Sequence, residues 1–162
     1  MVHFDPTVPG VSMSLRLERL VYESTATGAT DSLANLAVIL AESQRNNDRD
    51  GLTGALAAHR NRYIQVVEGP AHALDALLRR LESDPRHRDI ILLGREPIPA
   101  RVFGRWSMAS ARITPAHGAA LDSLVDHDDL TPGRVIRVML DALDAMRVAD
   151  DGESVGKTRT GG

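Results

Sequence analysis

The sequence predicts an α+β domain: one mixed sheet with two helices on a single face, followed by a helical extension. Three observations predict it. Short runs rich in Leu, Val and Ile alternate with two segments whose apolar residues recur at helical spacing, in the order strand, helix, strand, strand, helix, strand, strand. A tight HRNR turn joins the second and third strands. The chain has 162 residues, the size of one ordinary domain, with 43% hydrophobic, 25% charged and only 3% aromatic residues, so its core must be aliphatic.

Residues 1–14 carry two prolines and no periodicity and read as a flexible leader. LRLERLVYES, from Leu15, alternates as a strand and puts Leu20, Tyr22 and Ser24 on one face. After TATGAT, Thr30, Asp31 or Ser32 can cap a helix with Leu33, Leu36 and Leu40 on one side. Continued past Leu40, that stripe meets Ser43 and Asn47, two polar groups where a core is due. On pattern alone the helix ends near Ser43 and Asn47 caps it in a left-handed turn; the other reading keeps both on the buried face.

LTGALAA and YIQVVEG form the hairpin, and Gln65 lies centrally in its second strand, sharing a face with Tyr63 and Val67. A buried amide needs partners, because an unsatisfied one costs about 1–3 kcal/mol. Pro70 suits the first turn of a second helix with Leu74, Leu77, Leu78 and Leu81 as its stripe, closing at SDPRHRD. DIILLG and FGRWSMASARI supply the last two strands, and the order is that of a ferredoxin-like βαββαββ core over residues 15–114. Residues 115–148 read as a helical extension: a weaker helix over Ala116–Val125, an acidic DHDD turn, then an amphipathic helix with Val135, Val138, Met139, Ala142, Leu143 and Met146. That helix is expected to pack on the other face of the sheet or to form an oligomer contact. Residues 149–162 are polar and glycine-rich and read as a disordered tail.

Several classes of function are excluded. Cysteine is absent, which removes disulfides, thiolate metal sites and cysteine nucleophiles, and a net charge of −3 offers no basic footprint for nucleic acid. No apolar run reaches the length of a membrane span and the start lacks a signal-peptide pattern, so a cytoplasmic protein is expected. GESVGKT has three residues between its glycines where a phosphate-binding loop needs four. NNDRDG resembles the start of a calcium loop, but Ala57 stands where a bidentate Glu should be. No metal site is expected.

The polar residues Tyr22, Ser43, Asn47 and Gln65 come from two strands and a helix that enclose one space, as a flat ligand with several hydrogen-bonding edges requires. RLVYES, ESQRNNDRDGLTGAL, YIQVVEGP, DPRHRD and FGRWSM, in that order and spacing, resemble the successive motifs of the BLUF family of blue-light sensors that use FAD. The resemblance implies that Tyr22 gives an electron and a proton to the excited flavin and that Gln65 rearranges its hydrogen bonds between tyrosine and flavin. It implies further that Asn47 sits on the polar edge of the ring, that Ser43 lines it, and that Arg86 and His87 approach it from the loop after the second helix. Trp106 and Met108 match a tryptophan and a methionine of the last strand, a segment held to relay the signal. Tyr63 stands where phenylalanine is common and Val67 where leucine is usual, and neither change removes a flavin contact. The expected function is a blue-light photoreceptor signalling to a downstream protein partner, as a homo-oligomer and not as an enzyme. The alternatives are a ligand-binding or protein-interaction module on the same fold without photochemistry, and a small ferredoxin-like hydrolase, for which Arg86 and an Asn would be catalytic.

Overall fold

The computed structural model describes residues 16–26, 33–85, 87–126 and 131–156. Its elements are β1 (Leu17–Ala26), α1 (Leu33–Asp50), β2 (Thr53–His59), β3 (Arg62–Pro70), α2 (Ala71–Ser83), β4 (His87–Pro97), β5 (Ala109–Ser110), α3 (Pro115–Asp126) and α4 (Pro132–Gly156). The leader with residue 15, residues 27–32 with the candidate helix caps, residues 127–130 of the acidic turn, and residues 157–162 lie outside the described residues. No helix among those described is long and apolar enough to cross a membrane.

The sheet order is β4-β1-β3-β2-β5. β1 pairs antiparallel with β3 and β4, β2 pairs antiparallel with β3, and β5 joins β2 in parallel, so the sheet is mixed and its core is the ferredoxin-like arrangement. The hairpin turns at Arg60 and Asn61, whose φ angles of 47° and 63° give the left-handed pair that a two-residue β-turn needs. The outer strand β4 slips register twice against β1 and takes a positive φ of 52° at Asp89, irregularities that blunt an edge carrying the exposed Ile91 and Leu92.

Because side chains alternate along a strand, the sheet divides its residues between two layers. Leu20, Tyr22, Leu56, Tyr63 and Val67 face α1 and α2, where they join Ile39, Ala73, Leu74 and Leu81. Val21, Ala55, Ala57, Ile64 and Val66 face α3 and α4, where Leu121, Val135, Ile136, Met139 and Ala142 close over them. The amphipathic extension thus packs across the second face of the sheet.

Three expectations are corrected. α1 does not stop near Ser43: it runs to Asp50 and ends at Gly51, whose φ of +70° is followed by a bond from Leu52 N to Asn47 O at 2.9 Å. That is a Schellman closure, in which glycine, not Asn47, takes the left-handed position. Asn47 is helical and buried because its polar group finds a partner inside the fold. The last strand shrinks to Ala109–Ser110, and Trp106 and Met108 precede it in irregular backbone. The reason is hydrogen bonding: Val102 N and Phe103 N donate to the Glu68 carboxylate, Trp106 N turns back to Phe103 O, and the Ser107 and Met108 carbonyls accept from α1 side chains. Few groups remain for a ladder. Finally, α4 continues to Gly156, eight residues into the segment expected to be disordered. No proline interrupts it there, and extending an established helix is far easier than starting one.

Candidate functional site

A cleft of about 480 Å³ opens between α1 and α2 over the centre of the sheet. Tyr22 of β1 and Gln65 of β3 form its floor, Ile39, Ser43, Asn46 and Asn47 its α1 wall, Leu77, Arg80 and Leu81 its α2 wall, and Met108 one end. The size is that of a small-molecule or cofactor site.

The floor follows from strand register. Tyr22 and Gln65 are direct cross-strand partners on the same face, so their side chains meet: Tyr22 Oη donates to Gln65 Oε1 at 2.5 Å, fully buried. Burial pushes the Tyr22 phenol far above its ordinary value of 10.0, and the Arg80 charge offsets only part of that. Tyr22 is therefore neutral and protonated at any physiological pH. With Oε1 taken by the phenol, Gln65 has its N–H donors to offer to another acceptor.

On the α1 wall Asn47 Nδ2 donates to Ser107 O at 2.6 Å, and Gln44 Nε2 donates to Met108 O at 3.0 Å. These bonds draw Met108 over the cleft, where it is buried beside Tyr22 and Leu56. Across the cleft, Arg80 Nη1 donates to Asp50 Oδ2 at 2.9 Å, tying the end of α1 to α2. The Arg49 hydrogen bond, aided by Arg80, holds the Asp50 carboxyl below the usual range, which keeps it ionised for that contact. Arg80 Nη2 is buried and has no hydrogen-bond partner among the described residues. A buried cationic donor without an acceptor is costly, and a ligand carbonyl in the cleft would satisfy it.

Of the residues expected at the site, Tyr22, Ser43, Asn47, Gln65 and Met108 converge on the cleft. Trp106 does not line it. Its ring joins the layer on the other face, 6.5 Å from Phe103 between ring centres, while its carbonyl accepts from Gly54 N. Arg86 lies outside the described residues, as does the side chain of His87, whose backbone opens β4. Arg80 and Asp84 were not singled out from the sequence, yet both line the cleft. Their signal was polar residues three and seven positions after Leu77: Arg80 on the cleft side of α2 and Asp84 as the C-cap residue just past its end.

A buried phenol bonded to an amide at the floor of a cofactor-sized cleft, on a sheet whose far face is closed by further helices, defines a ligand-binding domain. The comparisons specify which. Residues 17–109 match the family BLUF, "sensors of blue-light using FAD". Subunit beta of photoactivated adenylate cyclase from Euglena gracilis is 33% identical over 96 residues, covering 59% of this chain and 11% of that protein. Among solved structures, BlrB, a BLUF protein in its dark state, superposes with a TM-score of 0.66 at 33% identity, covering 81% of this chain and 97% of that one. A bacterial light-regulated adenylyl cyclase gives a TM-score of 0.62 at 28% identity, over 69% of this chain and 35% of that one. The chain spans only about a tenth of the length of the curated relatives it matches. It belongs to the BLUF family, whose cofactor is FAD.

Proposed function

We propose that this chain is a blue-light photoreceptor module in which FAD lies in the α1/α2 cleft, with Tyr22 as electron and proton donor and Gln65 as the amide that rearranges. The observation that carries the reading is the buried Tyr22–Gln65 hydrogen bond at the floor of the cleft. The residues present fit the cofactor: Arg80 Nη2 needs an acceptor, and Asn47 and Ser43 offer polar groups along the opposite wall. Arg86 and His87 belong to the same proposed site.

Bound FAD supplies the absorption of blue light and the oxidising power of its excited state. Tyr22 is neutral, so losing an electron makes its phenol strongly acidic, and the proton leaves Oη along the bond to Gln65 Oε1. Gln65 can then give up a proton from Nε2 on its other side, and turning or tautomerising the amide exchanges its donor and acceptor edges. The backbone need not move.

One altered hydrogen bond is worth about 0.5–1.5 kcal/mol net, whereas driving a two-state element from 1:99 to 99:1 takes about 5.5 kcal/mol. The output therefore passes through a poised element, the segment carrying Trp106 and Met108, or is amplified in a homo-oligomer. The recipient is a separate protein partner, and the module itself turns over no substrate. Relatives whose names couple light to adenylate cyclase support the signalling role, and a cytoplasmic setting is part of the proposal.

The test is the visible spectrum of the purified protein in darkness, after a blue pulse and during recovery. A flavin spectrum that shifts reversibly to longer wavelength without bleaching is expected. A colourless protein despite riboflavin supply, or a flavin that bleaches or does not respond, overturns the reading in favour of a module without photochemistry.

A further inference from the structure

The turn of α1 that walls the cleft also grips the chain at its end. Gln44, Asn47 and Asp48 stand at i, i+3 and i+4, so their side chains leave the helix on one side. All three reach the same two residues: Gln44 Nε2 donates to Met108 O at 3.0 Å, Asn47 Nδ2 donates to Ser107 O at 2.6 Å, and Ser107 Oγ donates to Asp48 Oδ1 at 2.6 Å. The first two bonds use backbone carbonyls and would form with any residues at 107 and 108. The third needs a hydroxyl on one side and a carboxylate on the other. It is the one of the three bonds that depends on both side chains.

The gripped segment crosses between the two layers of the molecule. Trp106 packs against Phe103 on the α3/α4 side, while Met108 closes the cleft on the α1/α2 side. Asn47 belongs to both systems, since it lines the cleft and holds Ser107. A change of hydrogen bonding in the cleft that recruits the Asn47 amide withdraws it from Ser107 O. The segment is then retained by Gln44 and by the Asp48–Ser107 pair.

We infer that residues 106–108 are seen in their dark arrangement, that Asp48 and Ser107 form a latch holding them there, and that this latch, re-forming in the transition state of the return, sets how fast the light-adapted state reverts. Both are positioning residues that act through Asn47 and Met108. The inference rests on the photoreceptor reading. The bond is charge-assisted and surface-exposed, so it can be removed without opening the core. Without it the dark arrangement loses a restraint and the return to it slows.

The experiment follows recovery of the flavin spectrum in darkness after a blue pulse, using the full chain with its bound flavin. Ser107→Ala and Asp48→Asn are each expected to slow recovery about three- to tenfold. The double variant should be no slower than the slower single one, because both remove the same bond. Ser107→Thr and Asp48→Glu, which keep a hydroxyl and a carboxylate, should recover near the parent rate. The size of the spectral shift should be unchanged in all, since it is generated at Tyr22 and Gln65. Parent-like recovery in both single variants overturns the latch, as does a double variant whose slowing multiplies the two single effects. A parent protein without a reversible shift overturns the photoreceptor reading and the latch with it, so the two failures are distinguishable.

Discussion

The two faces of the sheet are built from neighbouring residues of the same strands, yet they do opposite things. On the α3/α4 face, Val21, Val66, Phe103, Leu121, Val135 and Met139 interlock, and the buried Glu68 carboxylate is satisfied by Arg19 at 2.8 Å and by the Val102 and Phe103 amides. On the α1/α2 face the positions one step along each strand hold Tyr22 and Gln65, the layer is parted by a cleft, and Arg80 keeps a buried donor without a partner. Among the described residues, the face that holds the fold together leaves no buried side-chain polar atom without a partner, whereas the face with the cleft leaves Arg80 Nη2 unpaired.

The largest effect expected from breaking this division is at Tyr22. Tyr22→Phe keeps the ring's packing and removes the hydroxyl, so the protein should fold and bind flavin while the light-induced shift disappears. Difference spectra before and after a blue pulse check this, and a normal photocycle in the variant contradicts the assignment. The matching change on the other face is Met139→Ala. Emptying that fully buried position should cost about 2–5 kcal/mol in urea unfolding while the folded fraction keeps the parent spectrum and shift. An altered photocycle in Met139→Ala would show that the two faces are more tightly coupled than their packing suggests.

Arg80→Met separates ligand binding from stability. Loss of a charged hydrogen bond to the cofactor, about 1.5–3 kcal/mol, should weaken flavin affinity roughly tenfold to a hundredfold in a fluorescence titration. The flavin-free protein should lose no more than about 1 kcal/mol, since the variant removes the part-exposed Arg80–Asp50 pair but also an unsatisfied donor. Unchanged affinity would remove Arg80 from the site.

The smallest effect is the pH dependence of stability contributed by Tyr22. Its folded-state value is raised, so below the ordinary phenol value of 10.0 both folded and unfolded states keep the proton and the residue contributes no slope. Above 10.0 the unfolded chain releases the proton while the folded chain retains it, and stability falls by about 1.4 kcal/mol per pH unit. Denaturant midpoints measured from about pH 9 to about pH 11 should therefore drop more steeply in the parent than in Tyr22→Phe, and equal slopes would refute the burial argument.

Much of this was written locally. Alternation put Tyr22 and Gln65 on one face of their strands, leucine spacing marked α1 and α2, and the amphipathic pattern around Val135 to Met146 called for a buried partner, which proved to be the second face of the sheet. The motifs from RLVYES to FGRWSM also placed the family. Such features depend on residues a few positions apart, and hydrophobic periodicity and turn chemistry encode them directly.

The tertiary structure alone decided what depends on distant partners. FGRWSM has the composition of a strand, but Glu68 takes its amides across 35 residues and Asn47 takes a carbonyl across 60, so it became the irregular segment that places Trp106 and Met108 on opposite sides of the sheet. Asn47 looked like a helix end until Gly51 supplied the left-handed residue and Ser107 supplied a part-buried acceptor. Nothing local in the sequence singles out Arg80; packing of α1 beside α2 is what buries one of its nitrogens and leaves it in want of an acceptor. Backbone and side-chain polar groups must be paired somewhere, and the sequence states that requirement without naming the partner; only folding brings the candidates within reach.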